Sequence, residues 1–182
     1  MATRTRTGIA AILAGTLYFV GHGGELAFHE AVPVGVYVTA GVAGFMALAV
    51  ALWGLRPLVS GTRRGRYGIR IAFVGVGFLL LFAVQLAVEL VRTGDIPENF
   101  ILFALGLLLI LVGQVVFARD LRPTLGRGWL IPIVAVAGLV MALFLNSIGL
   151  HDIGLFVFEG ALVALGIALL RAKTIEGPGD SS

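Results

Sequence analysis

The chain has 182 residues, of which 59% are hydrophobic and only 13% are charged, and its mean hydropathy is +1.04. A soluble domain carries about a quarter charged residues, so this composition excludes an ordinary water-soluble protein and indicates one embedded in lipid. The net charge of +3 does not indicate nucleic-acid binding, because the basic residues lie in short loops between apolar segments. The absence of cysteine excludes disulfides, thiolate metal sites and a cysteine nucleophile.

Six apolar segments follow one another along the chain. A bilayer core of roughly 30 Å needs about 20 apolar residues as helix, and all six segments meet or approach that length. Because the connections are short, consecutive helices are expected to be antiparallel neighbours. The sequence therefore predicts an all-α polytopic membrane protein, a bundle of six transmembrane helices arranged as three hairpins. The predicted helices cover residues 8–29, 34–55, 69–91, 99–118, 129–148 and 153–171.

We expect one transmembrane domain over residues 1–173 and a disordered cytoplasmic tail over 174–182, whose TIEGPGDSS sequence is polar and rich in small residues. The first apolar segment follows two arginines, as in a cleaved signal peptide. No convincing small-x-small cleavage site appears in the GHGGELAFHE that comes after it. A retained first helix is therefore the favoured interpretation.

Positive charge concentrates on one side of the predicted helices. Twelve of the thirteen basic residues fall on that side, with Arg92 as the exception, whereas seven of the ten acids and all three histidines fall in the opposite half. The positive-inside rule then predicts a multi-pass protein of the plasma (inner) membrane with both termini in the cytoplasm. The twelve residues are Arg4, Arg6, Arg56, Arg63, Arg64, Arg66, Arg70, Arg119, Arg122, Arg127, Arg171 and Lys173.

The outer end of the first helix carries His22, Glu25 and His29, which fall on one helical stripe. Histidine and carboxylate together are common ligands of divalent transition metals, so a metal site on these three residues is one hypothesis. Di-metal bundles use a Glu-x-x-His motif on paired helices, whereas here the histidine comes first and only one helix carries the pair. Interfacial polar residues without a metal are the favoured alternative, and no cofactor is expected.

Other polar residues fall in the outer half of the later helices. Gln85 and Glu89 share a face of the third helix, Asn146 lies near the outer end of the fifth, and Glu159 lies within the sixth. Ionisable groups inside a membrane usually face the bundle interior or water. We therefore predict a polar pocket in the outer leaflet, with Glu159 as its candidate proton-coupling residue. A neutral glutamic acid hydrogen-bonded to a neighbouring helix is the alternative for Glu159.

The order of six helices as three hairpins, with glycine-rich patches such as ALGLLLILVG and EGALVALG, resembles the HdeD-like family of small bacterial membrane proteins. The resemblance extends over the whole chain as organisation. It implies a six-helix membrane protein associated with acid-stress resistance, without a catalytic motif that could be carried over.

Three functions stay open at this point. The first is binding or permeation of a small solute or ion through the His/Glu pocket, with proton coupling. The second is a non-catalytic accessory or stress-resistance protein, and the third is a membrane-embedded enzyme that uses paired carboxylates on a lipid or isoprenoid substrate. No H-E-x-x-H, G-x-S-x-G or phosphate-binding glycine loop occurs, which favours the non-enzymatic hypotheses. The expected partners are the lipid bilayer and, as a further possibility, a second copy of the chain.

Overall fold

The computed structural model describes residues 2–28, 34–94, 101–145 and 151–172, and every regular element in these ranges is helical. Two 3₁₀ turns flank the shortest helix, and these three elements form a connector over residues 119–130. The helices are α1 (Ala2–Phe28), α2 (Val34–Val59), α3 (Arg63–Thr93), α4 (Ile101–Ala118), α5 (Arg122–Leu125), α6 (Ile131–Leu145) and α7 (His151–Arg171).

Four stretches of the described chain are long and apolar enough to cross a membrane. One of them runs through α4, the connector and most of α6 without a break in hydrophobicity. The structure therefore confirms an all-helical fold with several helices able to span a bilayer, while the number of six crossings stays a prediction. The stretches are Val38–Val59, Arg63–Thr93, Ile101–Ala142 and Asp152–Arg171.

Capping residues explain why α3 is longer than the apolar segment that predicted it. The side chain of Thr62 accepts a hydrogen bond from the backbone N–H of Gly65 at 2.8 Å, which satisfies an unpaired donor at the helix start. At the other end, Gly94 adopts the left-handed conformation (φ 79°) and its N–H donates to the carbonyl of Leu90. Helix formation thus continues beyond the predicted apolar segment, residues 69–91, at both ends.

The long helices pack chiefly as antiparallel hairpins, α1 with α2, α3 with α4 and α6 with α7. Helix α7 also packs extensively against α1, and smaller contacts join α2 to α3 and α4 to α6. The shared core contains apolar side chains with almost no exposure, among them Leu52, Leu79, Ile110 and Phe117. The hairpins thus surround one common core.

Glycines bring the backbones of α3 and α4 together at two facing pairs, Gly68 with Gly113 and Gly75 with Gly106. A Cβ atom at Gly75 would lie 2.6 Å from the carbonyl oxygen of Gly106, and one at Gly113 would lie equally close to the carbonyl of Gly68. No larger residue fits without a shift of backbone. Small residues allow this kind of close approach between membrane helices.

The antiparallel packing collects the arginines at one end of the bundle, which we call the basic end. Gly8 of α1 faces Gly166 of α7, and Gly54 of α2 faces Thr7 of α1, so the start of α1 and the ends of α2 and α7 lie together. Arg92 lies at the far end of α3. Among the described residues, the basic end carries Arg4, Arg6, Arg56, Arg63, Arg64, Arg66, Arg70, Arg119, Arg122, Arg127 and Arg171.

Candidate functional site

Helices α1 and α7 contact each other through residues that recur at every seventh position in each of the two helices. Residues seven apart are two turns apart and lie on the same face of a helix. The facing positions lead from the basic end towards the opposite end of the bundle. They are Gly8 with Gly166, Gly15 with Glu159, and His22 with Asp152.

The first two of these pairs hold the backbones close together. A Cβ atom added at Gly15 would lie 2.6 Å from the carbonyl oxygen of Glu159 and 2.8 Å from a methyl group of Val163. The third pair has no glycine. Its two side chains, His22 and Asp152, meet across the interface instead, so the glycine contacts set the distance at which these polar groups can interact.

His22 bridges two acids of α7. Its Nε2 atom lies 2.9 Å from Oδ1 of Asp152, and its Nδ1 atom lies 3.3 Å from Oε1 of Glu159. The two carboxyl groups lie two turns apart on one face of α7, so the imidazole ring fits between them. The side chains of His22 and Glu159 are 16% and 5% exposed, and that of Asp152 is 26% exposed. We call these three residues the His22 site.

The two contacts of the ring are not equivalent. The contact with Asp152 is a hydrogen bond, whereas the contact with Glu159 is close without the alignment of a hydrogen bond. Nδ1 of His22 and Oε2 of Glu159 are buried and have no hydrogen-bond partner in the described part of the chain. Buried polar atoms without a partner are costly in a protein interior. The Nδ1 side of the ring, towards Glu159, is therefore less well hydrogen-bonded than the Nε2 side.

The number of protons at the site follows from the donors of an imidazole. A neutral imidazole has one N–H and one lone pair, whereas an ionised carboxylate can only accept. A carboxyl oxygen faces each ring nitrogen of His22. If only one nitrogen carries a proton, the lone pair of the other nitrogen points at a carboxylate and is repelled by it. A second proton, on the ring or on Glu159, removes this repulsion, and either choice leaves the site with a net charge of −1. The site can therefore shift a proton between His22 and Glu159 without changing its total charge.

Aromatic rings border the His22 site. The ring centroid of Phe156 lies 4.9 Å from that of His22, and Phe19 lies 5.4 Å from Phe156. Tyr18 contacts Phe158 with centroids 6.0 Å apart. Apolar surroundings lower the local dielectric constant, so charges inside them interact more strongly than they would in water.

The structure brings together two of the six residues that the sequence analysis assigned to the pocket, His22 and Glu159. Gln85 and Glu89 lie on α3, which packs against α4 and to a smaller extent α2. Within the described ranges, no ion pair or hydrogen bond joins either side chain to the His22 site.

The remaining predicted residues fall outside what the structure describes. Glu25 lies within α1, but its side chain is outside the described part, and both His29 and Asn146 lie outside the described residues altogether. The predicted tail over 174–182 lies outside them as well. The convergence of four helices on one pocket therefore stays a prediction, whereas the contact between α1 and α7 is a structural fact.

The geometry of the His22 site does not suit a single metal ion. Asp152 and Glu159 contact different nitrogens of one ring. The lone pairs of these nitrogens point in different directions, so the two nitrogens cannot coordinate the same ion. Within the described residues, no group of three or more potential ligands is arranged to hold a metal. The metal hypothesis for His22, Glu25 and His29 stays a prediction, because two of its three side chains lie outside the described part.

Asp152 was not among the site residues chosen from the sequence, and it lies one residue before the predicted sixth helix, 153–171. Its signal was the spacing, since Asp152, Glu159 and Gly166 repeat at seven residues, as do Gly8, Gly15 and His22. A repeat of seven indicates a helix face that packs continuously against a neighbour. Comparing the two repeats in antiparallel order would have paired His22 with Asp152.

Comparison of the chain with models of protein families, with curated proteins and with solved structures finds no significant match. The resemblance to the HdeD-like family therefore stays a hypothesis, and the functional argument depends on the geometry of the chain itself.

Proposed function

We propose that this chain is a multi-pass protein of the plasma membrane with six transmembrane helices, in which the His22 site exchanges protons and thereby couples the binding or permeation of a small solute or ion to pH. The observation that supports this proposal is the bridging of Asp152 and Glu159 by one partly buried imidazole, at 2.9 and 3.3 Å. Carboxylate and histidine groups in membrane segments are typical of proton relays and ion pathways.

The chemistry of the three groups suits this role better than a purely structural one. A structural ion pair gains most when every buried polar atom has a partner. In the His22 site, the Nδ1 atom and the second oxygen of Glu159 have none in the described chain. Because these two atoms lack hydrogen-bond partners there, they are free to bind an additional proton or a polar solute.

Proton exchange at the site is testable by pH-difference infrared spectroscopy on the protein in liposomes. We expect the imidazole and carboxyl bands to change together in one pH transition of the wild type, which we call the coupled transition. Glu159→Gln should remove the carboxyl change and move the imidazole transition to a different pH, since the ring loses the ionisable group beside its Nδ1 atom.

The matched control is Glu89→Gln, which removes an acid from the same half of the bundle but from α3. It should leave the transition shared by the imidazole of His22 and the carboxyl group of Glu159 as it is in the wild type. If the imidazole transition is the same in Glu159→Gln as in the wild type, His22 and Glu159 do not share a proton and the proposal is wrong.

The proposed topology has both termini in the cytoplasm, because the basic end of the bundle carries eleven described arginines and the positive-inside rule assigns such an end to the cytoplasm. The absence of natural cysteine allows single-cysteine labelling. Thr93→Cys, at the far end of α3, should react with an impermeant maleimide in right-side-out vesicles, and Gly61→Cys only in inside-out vesicles. Both positions are exposed. The reverse pattern would contradict this orientation.

An accessory or stress-resistance role and a membrane-embedded enzyme are the alternatives. An accessory protein that acts through helix contacts should keep its activity when Glu159→Gln is combined with His22→Ala. An enzyme would need two carboxyl groups at one opening to lipid, and among the described residues Asp152 and Glu159 are a pair that could supply them. Loss of the coupled transition with retention of biological activity would favour the accessory role over the proposed one.

A further inference from the structure

A groove of about 480 Å³ opens at the basic end, between the connector and the last two turns of α7. Its walls are apolar or small on both sides, and the side chain of Ala168 lies 3.7 Å from the position that a Cβ of Gly128 would take. The groove is unrelated to the His22 site, which lies towards the opposite end of α7. Its lining residues are Thr124, Leu125, Gly128, Ala164, Ile167, Ala168, Arg171 and Ala172.

The groove combines an apolar wall with one cation at its rim. Ala164 and Ile167 extend along α7 in the direction of the helix axis, and Arg171 follows them at the end of the helix. About 10 Å separates positions 164 and 171 at 1.5 Å per residue. A ligand complementary to this arrangement has an anionic head and an apolar chain that follows the helix.

The surrounding charge favours the same ligand. Arg122 and Arg127 are exposed on the connector that forms the other wall. Within the described residues, Asp120 is the one acid at the basic end, and it is partly buried against Gly65. Arginines at a cytoplasmic membrane surface attract anionic lipids, each contributing on the order of 1 kcal/mol.

We propose that this groove binds an anionic phospholipid of the cytoplasmic leaflet, with its phosphate at Arg171 and one acyl chain along Ala164 and Ile167. The proposal rests on the membrane topology of the proposed function but not on the His22 site. A groove that lies at the lipid boundary meets such lipids at high local concentration. The shape and the charge together select the anionic ones.

Lipid retention by the full-length protein can be measured by native mass spectrometry after transfer from vesicles with equal amounts of phosphatidylglycerol and phosphatidylcholine. We expect wild-type protein to retain phosphatidylglycerol about fivefold over phosphatidylcholine, and Arg171→Gln to lose that preference. Ala164→Phe, which fills the apolar wall at an exposed position, should lower retention of phosphatidylglycerol by a similar factor.

Arg92→Gln is the control for Arg171→Gln, because it removes an exposed arginine from the last turn of a helix at the other end of the bundle. It should retain phosphatidylglycerol as the wild type does, and so should Glu159→Gln, which separates this proposal from the one on the His22 site. Equal helical circular dichroism of all variants shows that none of them is misfolded.

Two outcomes would overturn the proposal. A loss in Arg171→Gln without a loss in Ala164→Phe means attraction to a headgroup or free phosphate outside the groove. A loss in Ala164→Phe alone means an uncharged apolar occupant.

Discussion

Replacing His22 with leucine is expected to lower the free energy of unfolding by about 1 to 3 kcal/mol, because the buried carboxyl group of Glu159 is left without its polar partner. The side chain of Glu159 is only 5% exposed, and in the described part of the chain its Oε1 atom would keep no cationic group beside it. Leucine is close to histidine in size, so the loss of packing is small. Unfolding in mixed detergent micelles, followed by helical circular dichroism, measures the change.

The double variant His22→Leu/Glu159→Leu separates the interaction from the individual side chains. If the two groups interact, the double variant should be destabilised by less than the sum of the single variants, by at least about 1 kcal/mol. A hydrophobic pair in place of a buried ion pair is often tolerated or stabilising. Strict additivity would contradict a direct contact between His22 and Glu159, whereas Glu89→Leu on α3 should leave stability near that of the wild type.

The helical architecture could be predicted from the sequence because it depends on local composition. Continuous apolar segments predicted each long helix, and the short connections predicted antiparallel neighbours, which the packing of α1 with α2, α3 with α4 and α6 with α7 agrees with. Helix ends were less predictable. The start of α6 moves from residue 129 to Ile131 because Gly126–Leu130 forms a 3₁₀ turn, and α3 extends to its caps at Thr62 and Gly94.

The functional site was only partly predictable, because it depends on contacts between residues distant in the chain. His22 and Glu159 could be chosen from the cost of polar groups in a membrane. That rule gives no information on pairing, so the assignment of Gln85 and Glu89 to the same pocket stays a prediction, and their helix packs chiefly against α4. Pairing required the position of α7 against α1, which is set by glycine contacts such as Gly8 with Gly166.

The interfaces of α1 with α7 and of α3 with α4 follow the same geometry. Gly15 faces the carbonyl oxygen of Glu159 as Gly75 faces that of Gly106, and the Cβ-to-oxygen distance would be 2.6 Å in both. Glu159 of α7 therefore corresponds to Gly106 of α4. Since a glycine is sufficient for close packing of α3 against α4, the acid at the corresponding position of α7 favours a role beyond packing.

This comparison leads to a prediction in which no residue of the His22 site is altered. Gly15→Leu is expected to lower the free energy of unfolding by about 3 kcal/mol, at the upper end of the usual cost of overpacking. Its Cβ would meet the backbone oxygen of Glu159, which cannot rotate away as a side chain can. Separation of α1 from α7 should also move the ring of His22 away from Glu159, so the coupled infrared transition should be lost.

The control for this experiment lies next to Glu159 itself. A Cβ atom at Gly160 would meet nothing within 4 Å, so Gly160→Leu makes the same change in volume on the exposed side of α7. It should preserve both the stability and the coupled transition of His22 and Glu159. If Gly15→Leu also preserves the coupled transition, the two groups do not depend on the close approach of α1 and α7, and the site cannot be assembled as the structure describes. If both variants lose the coupled transition, the transition is sensitive to any change in α7 or α1. The prediction that it depends specifically on the Gly15 contact would then be wrong.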